Sequence, residues 1–206
     1  MAEPRTEKGR ETREKILATA AGLFHECGVS ATSVEQVLAG ARAGKSQFYR
    51  YFPSKEILVS EVIRYQSDRY LGWQRDLLER LDDWEGLEAY FNALVASHSE
   101  REMIGGCPIG SLAAELADGN EAHRRELAEV FSLWEGSIEQ VLARMRAARK
   151  LRPSADPRWL AATTVAGIQG GYLLSTLHRD VRPLKGTLEA ILVHLRSFAG
   201  PAIGEG

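Results

Sequence analysis

The placement of proline constrains the fold of this 206-residue chain more than any other feature. Pro108, Pro153, Pro157, Pro183 and Pro201 all fall where a helix would start or end, since proline is tolerated there and breaks a helix interior. Between them, apolar residues recur every three or four positions, and no segment has the two-residue alternation of a strand. The sequence therefore predicts an all-α protein of about nine helices.

Two short helices are predicted near the N-terminus. Apolar residues from Ile16 to Phe24 follow helical spacing in a helix that begins at about Arg10, and Gly28 is a typical residue to end it. Thr32 and Glu35 have the spacing of a capping box, in which a hydroxyl and a carboxylate satisfy the free amides at a helix start. A second helix is therefore predicted to follow Thr32.

A third short helix is predicted from Lys45 to Tyr51. It follows a four-residue turn at residues 41–44 and ends before Phe52-Pro53, because the residue before proline avoids helical geometry. At 100° per residue, Phe48 and Phe52 project together and are expected to be buried. The outward face then consists of donors and acceptors: Ser46, Gln47 and Arg50, flanked by Lys45, Tyr49 and Tyr51. Three helices with a tight turn predict a helix-turn-helix, and this face suits a DNA major groove.

The remaining helices are longer. Ser54 is expected to cap a fourth helix that runs to about Leu71. The others are predicted at Trp84–Glu102, Pro108–Ala117, Glu121–Lys150, Pro157–His178 and Pro183–Ala199. The uncharged stretch 159–178 is rich in glycine and hydroxyl groups, which predicts a buried helix and no membrane partner.

Composition excludes several classes of protein. Hydrophobic residues make up 44% and charged residues 26% of the chain, as in ordinary globular proteins. Cys27 and Cys107 are too few for a disulfide framework or a cysteine zinc site, and the five histidines lack metal-ligand spacing. We therefore predict no metal and no cofactor. The charged N-terminus lacks the apolar core of a secretory signal, so a cytoplasmic location is expected. Residues 1–55 have a net charge of +3 and the rest −5, which favours an anionic partner at one end.

Residues 10–65 resemble the N-terminal domain of TetR/AcrR-type transcriptional regulators. The resemblance rests on Phe24, Gly28-Val29, Thr32-Ser33-Val34 and the continuous string from Gly44 to Glu56. It implies a homodimer that places the third helix of each subunit in successive major grooves of operator DNA, and a small molecule in the C-terminal domain that controls release. It divides the chain into a DNA-binding domain, 10–55 continuing to about 71, and an effector-binding and dimerisation domain, 72–200.

The resemblance also implies roles for individual residues. Groove or base contacts are implied for Lys45, Ser46, Gln47 and Tyr49, and phosphate contacts for Thr32, Ser33, Tyr51 and Lys55. Arg42 stands where the family usually has glycine, and Gly44 where it has serine or threonine. A left-handed backbone would cost Arg42 about 1 kcal/mol or more, so either the turn differs or Arg42 gains a phosphate contact.

The string from Gly106 to Leu116 is similar to the LmrA-like branch of the family, which implies a planar, apolar or aromatic effector. Aromatic and sulfur-containing side chains at helical spacing suit the walls of an apolar cavity, although ordinary core packing is the better explanation for each aromatic residue taken singly. Gln169 either orients a ligand or bonds across a dimer. The predicted effector-binding residues are Trp73, Phe91, Met103, Cys107, Leu112, Phe131, Trp134, Gln169 and Tyr172.

The last two helices are predicted to form a twofold four-helix interface. Three glycines in the first of them suggest close approach, and leucines line one face of the second. The predicted interface residues are Gly167, Gly170, Gly171, Leu174, Leu188, Ile191, Leu192 and Leu195. Intramolecular packing of the same residues is the alternative.

The chain is predicted not to be an enzyme, since Ser111 lacks a nucleophile-elbow motif and no preceding strand is predicted. The function predicted is therefore a ligand-responsive homodimeric regulator, most simply a repressor. A helical small-molecule binding protein without sequence-specific DNA binding is the alternative. A bundle enzyme would need a catalytic set that the sequence does not display.

Overall fold

The computed structural model describes residues 6–79 and 81–200, and this part of the chain contains nine α-helices and no strand. A single antiparallel bridge joins Leu151 to Ala199. The all-α prediction is confirmed. The helices are α1 (Glu7–Cys27), α2 (Val34–Ala41), α3 (Lys45–Tyr51), α4 (Lys55–Leu78), α5 (Trp84–Glu100), α6 (Pro108–Leu116), α7 (Glu121–Ala147), α8 (Pro157–His178) and α9 (Arg182–Arg196).

Capping residues account for the helix bounds that the sequence misplaced. α1 begins before Arg10 because the Thr6 hydroxyl accepts the Gly9 amide at 3.1 Å. α4 continues past Gly72 to Leu78, where the Arg144 guanidinium donates to the carbonyl oxygens of Leu78 and Leu81 at 2.7 and 3.0 Å. A guanidinium from a distant helix thus satisfies carbonyl groups at and just beyond the C-terminal end of α4.

The capping box of α2 lies one residue later than predicted. The Ser33 hydroxyl accepts the Gln36 amide at 3.2 Å, and the Gln36 side-chain oxygen accepts the Ser33 amide at 2.7 Å. The predicted Thr32–Glu35 pair is wrong because Thr32 is buried and its hydroxyl donates to the Gly28 carbonyl at 2.7 Å. Thr32 therefore closes the α1–α2 turn.

The chain divides into two compact units. The first comprises the chain up to Tyr70 together with Pro108–Glu129, and the second comprises Leu71–Cys107 and the chain from Val130 onward. The N-terminal segment of the first unit ends at Tyr70. α6 and the start of α7 belong to the first unit, and the division into domains at 10–71 and 72–200 stays a prediction.

Each unit has its own apolar core. In the first unit, the interior-facing residues predicted on α1 and α3, including Ile16, Phe24, Phe48 and Phe52, are buried. In the second unit, α5 has its buried residues at helical spacing, from Leu87 through Phe91 and Leu94 to His98. Burying one stripe of each helix is what fixes these amphipathic segments in place.

Close packing of α8 on α9 explains two of the glycines. A Cβ placed on Gly171 would lie 2.9 Å from Leu184 Cδ1, and one on Gly167 would lie 2.7 Å from Ile191 Cδ1. These glycines therefore serve contacts within the subunit. Together with Leu188 and Leu195, which are also buried within the unit, they correct the predicted interface. Among the described helices, none has the length and apolar content needed to cross a bilayer.

Candidate DNA-binding surface and effector site

The short helix α3 separates a buried aromatic side from an exposed polar side. Phe48 and Phe52 are both 0% exposed, with ring centroids 5.5 Å apart. On the opposite side, Ser46, Gln47 and Arg50 are exposed, and Tyr49 is 54% exposed. The aromatic pair anchors α3, so the polar side chains face outward from a fixed support.

Two of these exposed side chains already have partners. The Gln47 side-chain oxygen accepts the Gly44 amide at 2.9 Å, which is the half of a capping box that needs no side chain at Gly44. Lys45 Nζ lies 3.2 Å from the Glu35 carboxylate in an exposed ion pair, and the pKa of Glu35 is held below its usual range by a backbone hydrogen bond and by Lys45. Contact with a base through both amide atoms requires Gln47 to leave its capping position.

Arg42 has a left-handed backbone conformation, which the sequence analysis left open. It ends α2 in the left-handed region, with φ 52° and ψ 43°, and its amide donates to Ala39 O. Its side chain is exposed. The turn is therefore the usual left-handed one, built with an arginine instead of a glycine.

Three residues with a predicted phosphate contact have roles within the fold, and their phosphate contacts stay predictions. Thr32 is buried and bonded to Gly28, Tyr51 is only 6% exposed, and Lys55 Nζ donates to the Val29 carbonyl at 2.7 Å. These side chains hold the three-helix unit together. Ser33 remains exposed at the start of α2.

A carboxylate from α6 holds the α1–α2 turn. Glu115 accepts the backbone amides of Val29 and Ser30 at 2.7 and 2.6 Å. Burial alone would raise the pKa of Glu115, but the hydrogen bonds from Ser30 and Val29 and the charge of Lys55 outweigh it and hold the pKa below 4.5. Glu115 and Lys55 thus bind the amide and carbonyl sides of one turn.

A groove of about 520 Å³ adjoins α3 and is lined partly by cationic side chains. Lys8 and Lys15 come from α1, Arg42 from the turn and Gln47 from α3. Lysine and arginine at this position supply the charge that phosphate contact needs. Sequence reasoning missed Lys8 and Lys15, because nothing local indicates that α1 lies beside the turn.

In the second unit, hydrogen bonds join three buried polar side chains, here called the Gln74 cluster: Gln74, Tyr90 and Trp134. Each is at most 1% exposed. Trp134 Nε1 donates to the Tyr90 hydroxyl at 3.2 Å, and that hydroxyl donates to the Gln74 side-chain oxygen. Burial raises the pKa of Tyr90, and nearby Tyr172 and Cys107 raise it further. The hydrogen bond from Trp134 lowers this pKa by less than burial raises it. Four of these five residues come from different helices, and Cys107 directly precedes α6.

The other predicted effector-binding residues lie in both units. Phe91 is buried, Phe131 stacks on Trp134 at a centroid distance of 6.1 Å, and Tyr172 meets the His98 ring edge-on at 4.9 Å. The partly exposed residues are Trp73, Met103 and Gln169. Leu112 is buried in the first unit, and we leave it out of the proposed site.

An apolar face is exposed on α8 and α9. Leu173 and Leu177 on α8 and Val193 on α9 are 68%, 70% and 71% exposed. Of the predicted interface residues, Gly170 and Leu174 are exposed on α8, while Ile191 and Leu192 are half-buried. Leu188 and Leu195 of the predicted interface lie on the inward face of α9, and the position of the interface stays a prediction.

Two family models match the chain. Residues 16–62 match the model for bacterial regulatory proteins of the tetR family, and residues 84–191, just over half of the chain, match the model for the tetracyclin repressor-like C-terminal domain. The chain belongs to the TetR family. It is a transcriptional regulator with an N-terminal helix-turn-helix and a C-terminal domain of the ligand-binding type.

Known relatives of this TetR regulator match it over most of its length. The transcriptional regulator LmrA of Bacillus subtilis is 32% identical over 180 residues, covering 84% of this chain and 91% of LmrA. The structure of reduced NemR from Escherichia coli has a TM-score of 0.82 at 27% identity, covering 93% of this chain and 99% of NemR. A TetR regulator from Chloroflexus aurantiacus has a TM-score of 0.83 at 25% identity, covering 95% and 99%.

Besides Lys8 and Lys15, sequence reasoning missed Glu115, Gln74 and Tyr90 in this TetR regulator. The helical spacing of Leu87, Tyr90 and Leu94 on α5 could have identified Tyr90 as inward-facing. Nothing in the sequence pairs Gln74 with it. In the part of the chain that the structure describes, no group of three His, Cys, Asp or Glu side chains is placed to hold a metal ion.

Proposed function

We propose that this TetR regulator represses transcription as a homodimer bound to operator DNA, and that a small, largely apolar or aromatic effector releases it. One observation supports DNA binding above the others: α3 presents an uninterrupted exposed polar face on a fixed aromatic anchor. Glutamine can address adenine from such a face, and arginine and lysine can bind phosphate as well as guanine. The cationic groove beside it supplies charge for phosphate binding.

The exposed face of α8 and α9 supports a twofold dimer. Leu173 and Leu177 are one turn apart on α8, and Val193 is on α9; large apolar side chains that are two-thirds exposed mark interaction surfaces on soluble proteins. We therefore move the proposed interface from the buried residues Leu188 and Leu195 to Leu173, Leu177 and Val193. In analytical ultracentrifugation, Leu177→Arg should shift the protein toward monomer. Leu133→Arg, at another exposed leucine, should leave a dimer.

Two helices connect the proposed effector site to the proposed DNA-binding unit through the chain itself, and this supports coupling between effector binding and DNA binding. α4 is a single helix that includes Lys55 in the first unit and Gln74 in the second. α6 begins directly after Cys107, and Glu115 in its last turn binds the α1–α2 turn. Release requires that the effector bind the DNA-incompetent dimer more tightly than the competent one.

Fluorescence anisotropy with duplex DNA tests the proposal. Arg50→Ala should weaken binding to every sequence and reduce the salt slope by about two, one for each subunit. Gln47→Ala should instead change which sequence is preferred. Lys185→Ala, an exposed lysine on α9, is the control and should change nothing. Equal effects of Arg50→Ala and Lys185→Ala would contradict the assignment of α3. No DNA binding at all would favour a small-molecule binding protein.

A further inference from the structure

The Gln74 cluster has a fixed hydrogen-bond direction. An indole N–H can only donate, so the Tyr90 oxygen accepts from Trp134 at 3.2 Å. The phenol has one hydrogen, and it donates to the Gln74 side-chain oxygen. The amide of Gln74 is therefore oriented by its neighbours, with its oxygen occupied and its nitrogen pointing elsewhere.

One donor of the cluster has no acceptor. Gln74 is 1% exposed, and its Nε2 has no hydrogen-bond partner within residues 6–79 and 81–200. Turning the amide over would pair Nε2 with Tyr90 but would leave the phenol hydrogen unpaired instead. In either orientation the cluster has one donor too many, and a buried donor without an acceptor costs about 1–3 kcal/mol.

Two further polar groups of the same unit are also buried without a hydrogen-bond partner in the described chain. They are Gln169 Nε2 and Thr176 Oγ1 on α8. By helical spacing they lie on one stripe of α8 with Tyr172 between them. Tyr172 is close enough to Tyr90 to act on its pKa. The unpartnered groups therefore occur on two helices that converge on Tyr90.

The chain beside the cluster has an irregular backbone. Glu102, Met103, Gly105 and Gly106 have positive φ values of 52°, 55°, 75° and 66°, and Cys107 follows them directly. A run of left-handed residues is held only by its surroundings, since each non-glycine position costs about 1 kcal/mol or more.

We infer that the effector is a neutral carbonyl compound with an apolar body, whose oxygen accepts the hydrogen bond that Gln74 Nε2 has available. Its rings would pack against Trp134 and Phe131, which already stack on each other. This inference rests on the proposed function, because it names the ligand class of the same effector site.

The cluster should discriminate by hydrogen-bond polarity more than by shape. A carbonyl satisfies the Gln74 donor, whereas a hydrocarbon of equal size leaves it unpaired and an ammonium group opposes it with a second donor. The three hydrogen-bonded groups of the cluster, an amide, a phenol and an indole, are all uncharged at neutral pH.

Matched probes test the inference on the full-length protein without DNA. Benzophenone and diphenylmethane differ only by a carbonyl oxygen in place of two hydrogens. Isothermal titration should show benzophenone binding about five- to tenfold more tightly, the value of one hydrogen bond to an otherwise unpaired donor. Gln74→Met should reduce that preference to less than about twofold. Gln140→Met, at an exposed glutamine on α7, should preserve it.

The wild-type comparison decides the question even if Gln74→Met fails to fold. Equal affinity for the two probes, or no binding of benzophenone, overturns the inference. The side-chain amide NMR signals of Gln74, assigned by their loss in Gln74→Met, should shift with benzophenone and stay in place with diphenylmethane. Because these measurements use no DNA, they can fail while Arg50→Ala and Gln47→Ala still behave as the proposed function requires.

Discussion

Two regions of the molecule use polar side chains in opposite ways. On α3, Gln47, Tyr49 and Arg50 lie on the surface, where water satisfies them until a partner replaces it. In the second unit, Gln74 and Tyr90 are buried, and water is kept from them. A hydrogen bond from an exposed donor adds little binding free energy, because water competes for the donor, and charged partners add to it. A buried unpaired donor favours a ligand that supplies the missing acceptor. The first region therefore suits a charged polymer, and the second a small neutral ligand.

The sharpest test of this contrast is salt dependence. If a dimer makes about eight phosphate contacts, DNA affinity should fall on the order of 10⁴-fold between 50 and 200 mM salt. Benzophenone binding should change less than about twofold over the same range, because neither partner is charged. Titrations of both ligands on one preparation provide the measurement. A similar salt response for both would remove the distinction between the two regions.

Adjacent aromatic residues on α3 should differ strongly in their effect on stability. Phe48→Ala should lower the free energy of unfolding by about 3–5 kcal/mol, because the ring is fully buried. Tyr49→Ala should change it by no more than about 0.5 kcal/mol, since Tyr49 is largely exposed. Urea denaturation measures both. Equal destabilisation would mean that the predicted polar face is part of the core.

Removing one hydroxyl in each region should affect different properties. Tyr90→Phe leaves the Gln74 oxygen buried without its donor and should cost about 1–3 kcal/mol of stability. Tyr49→Phe should leave stability unchanged and weaken DNA binding. Thermal denaturation and anisotropy separate the two outcomes. A Tyr90→Phe protein as stable as wild type would show that the cluster is not closed to water.

The bond between Glu115 and the α1–α2 turn should depend on pH. The pKa of Glu115 is lowered in the folded protein, so its contribution is present above about pH 4.5 and is lost as pH falls below that value. Glu115→Gln should cost about 1 kcal/mol at neutral pH and nothing at the acidic end. Denaturant titrations across this range measure the difference. A constant difference at every pH would exclude the charge as its source.

The smallest effect is expected at the turn before α3. Arg42→Gly should stabilise the protein by about 0.5 kcal/mol, because relief of the left-handed backbone exceeds the extra entropy of glycine in the unfolded chain. The same change removes a cation from the groove beside α3 and should weaken DNA binding a few-fold. We therefore expect Arg42→Gly to raise the free energy of unfolding and to lower the affinity for DNA. A loss of both would mean that Arg42 has a structural partner.

Local sequence signals were enough for most of the fold. Phe52-Pro53 and the phenylalanine spacing determine α3, and the bounds of α3 and α8 are those predicted. Caps supplied by distant residues were not predictable. α4 extends to the point where Arg144 binds its carbonyls, and Thr32 turned inward, which moved the capping box to Ser33.

The site was only partly predictable for the same reason. The exposed side of α3 follows from helical geometry alone, so the exposure of Gln47, Tyr49 and Arg50 could be predicted. The family resemblance implied phosphate contacts for Lys55 and Thr32, and sequence alone does not show that these side chains donate to the Val29 and Gly28 carbonyls. Gln74 and Glu115 act through residues far away in the chain, and only the folded arrangement reveals them.

The central claim is that paired α3 helices read DNA sequence. Selection of duplexes from a random pool by the purified protein tests it most directly. The account predicts two half-sites related by a twofold axis, with centres about 10 base pairs, or about 34 Å, apart. It also predicts that Gln47→Ala changes the selected bases within each half-site. An unenriched pool, or an identical consensus for wild type and Gln47→Ala, would contradict the claim.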